Sequence, residues 1–220
     1  MELGYANNVL NPRLSAVEGD WLYRLGNRLV GLTVLTALSP LFIFSALAIW
    51  MTDGAPIFFG HYRVGSEGRL FKCLKFRTMR VDAQERLVEL LQTNPEARAE
   101  WERDRKLLND PRITAIGHFL RKTSLDELPQ LLNVVRGDMV LVGPRPITVQ
   151  ELQRYGRTRW HYLSVIPGVT GLWQVSGRNN TTYEERVVLD RHYVETRSLW
   201  MDVKILLLTV WVVLTGHGAR

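Results

Sequence analysis

From Leu29 to Met51 the chain carries no charge: LVGLTVLTALSPLFIFSALAIWM. At about 1.5 Å per residue this run is long enough to cross a hydrocarbon core of roughly 30 Å. The plain alternative, a buried helix in a soluble core, fits poorly, because such helices seldom run this far without a charge. Ser39-Pro40 stands at the middle of the run. Proline there removes a backbone donor and clashes with the preceding turn, which predicts a sharp bend. A bent apolar helix can sit in a bilayer in two ways. It crosses as a kinked span, or it enters and leaves by one face, with the hydroxyls of Ser39 or Thr36 serving the carbonyls freed at the bend. The flanks do not choose, since Arg24 and Arg28 precede the run while Asp53 and then Arg63 follow it. A second apolar stretch, Ile205 to Thr215, is too short to span. With Lys204 before it and Trp200 and Trp211 nearby, it reads equally as an interfacial or a core helix.

Twenty-eight Lys and Arg face 22 Asp and Glu, and the first 52 residues are balanced, so the net +6 lies entirely beyond them. That excess suits phosphates: nucleic acid, anionic headgroups or a phosphorylated substrate. Cys73 is the single cysteine, which excludes an intrachain disulfide and makes a cysteine zinc site implausible. The polar residues ahead of the apolar run, without a closing cleavage site, are not expected to form a signal peptide.

Downstream, PIFFGHYRVG and RLFKCLKFRTM read as two strands joined by Gly65-Ser66-Glu67-Gly68. Asp82 to Gln92 has helical spacing, and Asn94-Pro95 opens another helix reaching about Leu108. Helices are expected near Ile113 to Leu120, Leu125 to Val135 and Thr148 to Tyr155. Met139 to Val142 is expected to be extended, Pro167-Gly168 a turn, and Thr182 to Glu185 a capping box opening a helix to about Glu195. The whole predicts one small α+β body, mostly helical, with a short β-hairpin, behind an apolar hairpin.

Three blocks could carry chemistry. In LRKTSLDELPQ, Asp126 and Glu127 adjoin Arg121 and Lys122. Ser124-x-x-Glu127 has capping-box spacing, whereas Pro129 in a first turn would make Asp126 the cap. On either reading a helix dipole would keep both carboxylates ionised. In Gly143-Pro144-Arg145-Pro146 two prolines restrain an arginine suited to forked phosphate contacts, unless the segment is a rigid turn with a solvated arginine. In FKCLKFRTM, Lys72, Lys75 and Arg77 suggest a basic strand face, usually a solvated one.

Taken in order, KFRTM, DPRIT, LRKTSLDELPQLLNVVRGDM, VGPRP, PGVTGLWQVSGRN and SLWMDVKIL closely resemble one family. It is the bacterial sugar transferase family, the monotopic polyprenyl-phosphate phosphoglycosyl transferases. The resemblance runs from about residue 22 to residue 212 and is strongest to the short enzymes that begin exopolysaccharide repeat units.

The resemblance implies that Asp126 attacks the sugar-bearing phosphorus of a UDP-sugar, and that undecaprenyl phosphate then takes the sugar phosphate. It implies Mg²⁺ on Glu127, Arg121 and Arg145 on the phosphates, and Lys75 and Asp202 at the edge of the site. It further implies amphipathic interfacial helices and a re-entrant helix broken at Ser39 and Pro40, with both ends on the cytoplasmic face of the inner membrane. The chain then divides into a leader (1–21), a re-entrant helix (22–52) and a catalytic domain (53–220). The 94–108 helix resembles an insertion found in some members, and Glu18 and Asp20 make the leader unusually acidic. Galactose or glucose is the expected sugar, with N-acetylated or bacillosamine-type sugars behind. A homodimer and a monomer are both open. Two other classes compete: a non-catalytic membrane scaffold, in which Asp126 is dispensable, and a nucleic-acid binder, which the interspersed acids and the lack of a recognition motif argue against.

Overall fold

A computed structural model describes residues 21–104, 107–177 and 181–215. The expected leader, with Glu18 and Asp20, lies outside these residues apart from Trp21, as do Arg178 and Asn179 of the SGRN block. The apolar run forms α1 (Trp21–Ala37) and α2 (Ser39–Asp53), bent by 63° at Leu38. Pro40, in the first turn of α2, accounts for the break. The Thr36 hydroxyl serves the Leu32 carbonyl, one turn before the break, rather than a carbonyl freed there. No single described helix is long and apolar enough to cross a membrane.

The hairpin forms as the sequence predicts, β1 (Phe58–Val64) antiparallel to β2 (Leu70–Phe76). A helical arm follows, α3 (Ala83–Thr93) and α4 (Pro95–Asp104), with the Asn94 side chain accepting from the Ala97 amide. The arm returns to the body through Asp110, which binds the Arg112 guanidinium at 2.8 and 2.7 Å, and that guanidinium lies over Trp101. Next come α5 (Ala115–Lys122) and α6 (Gln130–Arg136), then β3 (Val140–Val142), α7 (Val149–Arg154) and α8 (Arg159–Leu163). β4 (Gly168–Thr170) pairs in parallel with β3, so the turn expected at Pro167-Gly168 gives way to a strand. Three short glycine backbones explain it. A Cβ on Gly168 would collide with Gly143, and one on Gly171 with the Gly143 carbonyl. Last are α9 (Leu172–Val175), α10 (Tyr183–Thr196) and α11 (Leu199–Thr215). Thr182 and Glu185 exchange both bonds of the expected capping box.

α1 packs on α6 with Gly31 against Val134, and the Asn27 side chain accepts through Oδ1 from the Leu141 amide of β3. α2 joins the body through Ile49 and Phe42, which share a cluster with Phe76, Leu120, Leu125 and Leu128. Each fully buried side chain there contributes about 1.5–3 kcal/mol. α11 answers the core-or-interface question both ways. Ile205 and Val212 are buried, while Leu199, Trp200, Leu207, Val210 and Trp211 remain exposed.

Candidate active site

Asp126 and Glu127 occupy a single 3-10 turn, Leu125–Glu127, between α5 and α6. The helix expected from Leu125 to Val135 is interrupted here, and neither capping reading holds. Ser124 is left-handed (φ 58°), its side chain makes no cap bond, and regular helix begins only after Pro129. Leu125 and Leu128 face inward to the α2 cluster, which leaves the two carboxylates between them to face β2. A non-glycine residue in this conformation costs of order 1 kcal/mol, and the flanking leucines hold it.

The facing strand is set in register by a buried asparagine. Asn133 of α6 accepts from the Leu74 amide at 3.0 Å and donates to the Lys72 carbonyl at 2.9 Å, covering the edge of β2 as another strand would. Lys75 therefore meets the turn, its Nζ 2.6 Å from Glu127 Oε1 and 3.5 Å from Asp126 Oδ2. The solvated basic face suggested by the sequence does not form. Lys72 is exposed, but Lys75 turns to the carboxylates and Arg77 is buried. Arg145 projects from the end of β3 and donates from Nη2 to Glu127 Oε1 at 3.1 Å. Its guanidinium stands 5.8 Å from the centre of the Trp173 ring. Arg121 donates from Nε to Thr78 Oγ1 at 2.9 Å. A Cβ on Gly117 would collide with the Thr78 carbonyl, so only glycine lets α5 seat Arg121 here.

The two carboxylates differ electrostatically. Burial pushes Asp126 above the usual carboxylate range, against the pull of Lys75 and Arg121. Burial alone would raise Glu127 too, but Lys75 and Arg145 outweigh it and hold Glu127 well below that range. The expectation that a helix dipole keeps both ionised is thus corrected: there is no helix start beneath them, and Asp126 is short of donors. Two neighbouring acids pushed apart in this way are suited to different roles.

Residues 19–216 match the bacterial sugar transferase family. The chain belongs to that family. It is 57% identical over 210 residues to the UDP-galactose-lipid carrier transferase of Erwinia amylovora, covering 96% of this chain and 44% of that protein. It is 53% identical over 213 residues to the undecaprenyl-phosphate galactose phosphotransferase of Salmonella typhimurium, with 96% and 44% covered. To the exopolysaccharide production protein ExoY of Sinorhizobium fredii it is 48% identical over 191 residues, with 87% and 84% covered. The chain thus spans less than half the length of the first two relatives.

In this family member the structure brings together Asp126, Glu127, Lys75 and Arg145, with Arg121 near enough to draw on Asp126 electrostatically. Asp202 stands apart. Its oxygens accept from Tyr23 at 3.2 Å and Tyr193 at 2.7 Å, tying α11 to α1 and α10. Its link toward the site runs through Tyr193, whose hydroxyl also meets the Val142 carbonyl, three residues before Arg145. Among the described residues no three metal-ligating side chains cluster. Mg²⁺ takes one or two carboxylates and keeps its waters, so the adjacent pair would be enough to hold it. The sequence assigned no role to Trp173 or Thr78, and placed Arg77 only on a basic, solvated strand face. All three lie in the blocks that carried the resemblance, but what each side chain touches depends on chain segments far away.

Proposed function

We propose that this sugar transferase moves hexose 1-phosphate from a UDP-sugar to undecaprenyl phosphate. The observation that carries the reading is the unequal pair: Asp126, desolvated and short of donors, beside a firmly ionised Glu127, within reach of Lys75, Arg145 and Arg121. A desolvated carboxylate is a stronger nucleophile than a hydrated one. In the proposed first step an Asp126 oxygen bonds to the sugar-bearing phosphorus, and the bond to the bridging oxygen breaks, releasing UMP. In the second step a phosphate oxygen of the lipid bonds to that phosphorus and Asp126 leaves as carboxylate, giving undecaprenyl-diphosphate sugar. Lys75 and Arg145 hold Glu127 in place and would take the donor's phosphate oxygens together with Arg121. Glu127 would hold Mg²⁺, which when bound neutralises the diphosphate charge that repels an attacking anion.

Galactose is the proposed sugar, since two relatives above half identity bear galactose in their names. The product would serve as the first lipid-linked unit of an exopolysaccharide. We place the apolar pair in the inner membrane as a re-entrant hairpin, the body on the cytoplasmic face where nucleotide sugars are made. With both ends at one level, arms of this length bent by 63° reach about 12–13 Å deep, under half of a core of roughly 30 Å.

The test is UMP release by the nanodisc-held protein with undecaprenyl phosphate, Mg²⁺ and a panel of UDP-hexoses, beside Asp126→Asn. Release with UDP-galactose, abolished in the variant and on chelation, is the expected result. A folded sample that releases UMP from no donor would overturn the reading.

A further inference from the structure

Within the four residues Lys75 to Thr78, the outer two touch the candidate site and the inner two the apolar hairpin. Lys75 binds the carboxylate pair, and Thr78 holds Arg121. Between them, Phe76 lies against Phe42 of α2, ring centres 4.9 Å apart. Arg77, only 7% exposed, turns its guanidinium to the end of α2, where Nη2 donates to the carbonyls of Asp53 and Gly54, both at 2.8 Å. Those carbonyls lie at the negative end of the helix, beyond its own hydrogen bonding, so a buried cation is well matched to them. Nε and Nη1 find no partner among the described residues, so Nη2 carries the clamp. β2 ends in Lys75 and Phe76, and Arg77 follows directly. One short segment therefore grips both the nucleophile's turn and the hairpin's end.

We propose that Arg77 is a positioning residue that sets the height of the Asp126–Glu127 pair above the lipid surface. It would thereby govern the step that consumes the lipid phosphate and not the step that consumes the nucleotide sugar. This rests on the transfer reading above. The two substrates arrive differently. A soluble nucleotide reaches the pair from water at any height. A phosphate anchored to a chain in the bilayer reaches attacking distance only if the pair stands at headgroup level. Loss of register by an ångström in such a geometry costs roughly ten- to a hundredfold.

Arg77→Met keeps most of the stem and removes the donors, while Arg77→Lys restores one charged donor. In nanodiscs, UMP release without acceptor reads the first step, and turnover against polyprenyl phosphate concentration reads the second. Arg77→Met is expected to release its UMP at the parent rate while kcat/KM for the lipid falls by roughly ten- to a hundredfold. Arg77→Lys recovers most of that loss. A third measurement needs no activity. A spin label at Met51, 77% exposed near the end of α2 and introduced as Met51→Cys with Cys73→Ala, reports depth from its exposure to oxygen and to a nickel chelate. Its depth is expected to shift in Arg77→Met and return in Arg77→Lys. Equal losses in both steps, or a label depth unchanged by Arg77→Met, overturns the proposal. If the parent releases no UMP from any donor, the transfer reading fails, and the label depth alone still decides the role of Arg77.

Discussion

Two charge clusters flank Trp173, built from nearly the same parts. On one side Asp126 and Glu127 meet Lys75 and Arg145. On the other Glu151 and Asp190 meet Arg63 and Arg186, whose guanidinium lies 4.8 Å from the centre of the Trp173 ring. In each, one acid takes the strong contacts and falls below the usual carboxylate range, Glu127 in the first and Glu151 in the second. In each, burial raises the other, with Asp190 pushed up to about 6. The difference lies in the donors. Asp190 is 2% exposed and accepts from the Tyr155 hydroxyl at 2.7 Å, so it is closed off. Asp126 has no contact shorter than the 3.5 Å to Lys75 among its described partners. A carboxylate raised by burial becomes a reagent when no donor closes over it, and a strut when one does.

Replacing Asp126 tests that distinction most severely. Asp126→Asn should cut turnover at least about a thousandfold. Its melting temperature should nevertheless hold or rise. A folded pKa raised above the unfolded one gives stability that is complete below the unfolded value and lost as pH rises through the folded one, so at neutral pH the ionised aspartate weakens the fold. For the same reason, turnover of the parent should fall in milder acid than an ordinary aspartate near 3.9 would dictate. A pH–rate profile beside thermal melts reads both.

Glu127→Gln should lower turnover too, but with the opposite sign on stability, a loss of about 1–3 kcal/mol because Lys75 and Arg145 are left uncompensated. With its folded pKa depressed, the glutamate's contribution is present above the unfolded value of about 4.3 and lost as pH falls further. The gap between parent and variant in chemical denaturation should therefore close in strong acid. Equal melting shifts for the two amides would break the comparison.

Trp173→Leu removes the ring shared by both clusters. The loss of cation–π contact, about 0.5–2 kcal/mol, should appear as a few-fold rise in KM for the nucleotide sugar with little change in kcat. The smallest effect on turnover is expected from Asp190→Asn, which should leave it unchanged. Stability would register the change instead. Acidifying from pH 7 to pH 4 should strengthen the parent relative to this variant, since the aspartate's raised pKa, about 6, lies within that interval.

Much of this was legible in the sequence where the cause is local. The break at Ser39-Pro40, the β-hairpin across Gly65 to Gly68, the Asn94 cap and the Thr182–Glu185 box each depend on a few adjacent residues. Ser124 misled because its spacing to Glu127 fits a cap, yet Leu125 and Leu128 are drawn into a cluster with α2, and that long-range packing overrides the local preference. Arg77 looked like part of a solvated face because its partners, the carbonyls of Asp53 and Gly54, lie 24 and 23 residues earlier. The pairing of β3 with β4 was invisible for the same reason. Within the site, the residue types and their order pointed to the carboxylate pair, but the inequality between the two acids required knowing which one Lys75 and Arg145 would meet.

The 63° bend has a consequence outside chemistry. Seated as the proposed re-entrant hairpin, the pair would displace acyl chains in one monolayer and none opposite, and each copy that inserts would enlarge one half of the bilayer alone. Residence in the membrane would then respond to lateral pressure and curvature, and loosely packed or conical lipids should retain the protein better than tightly packed, cylindrical ones.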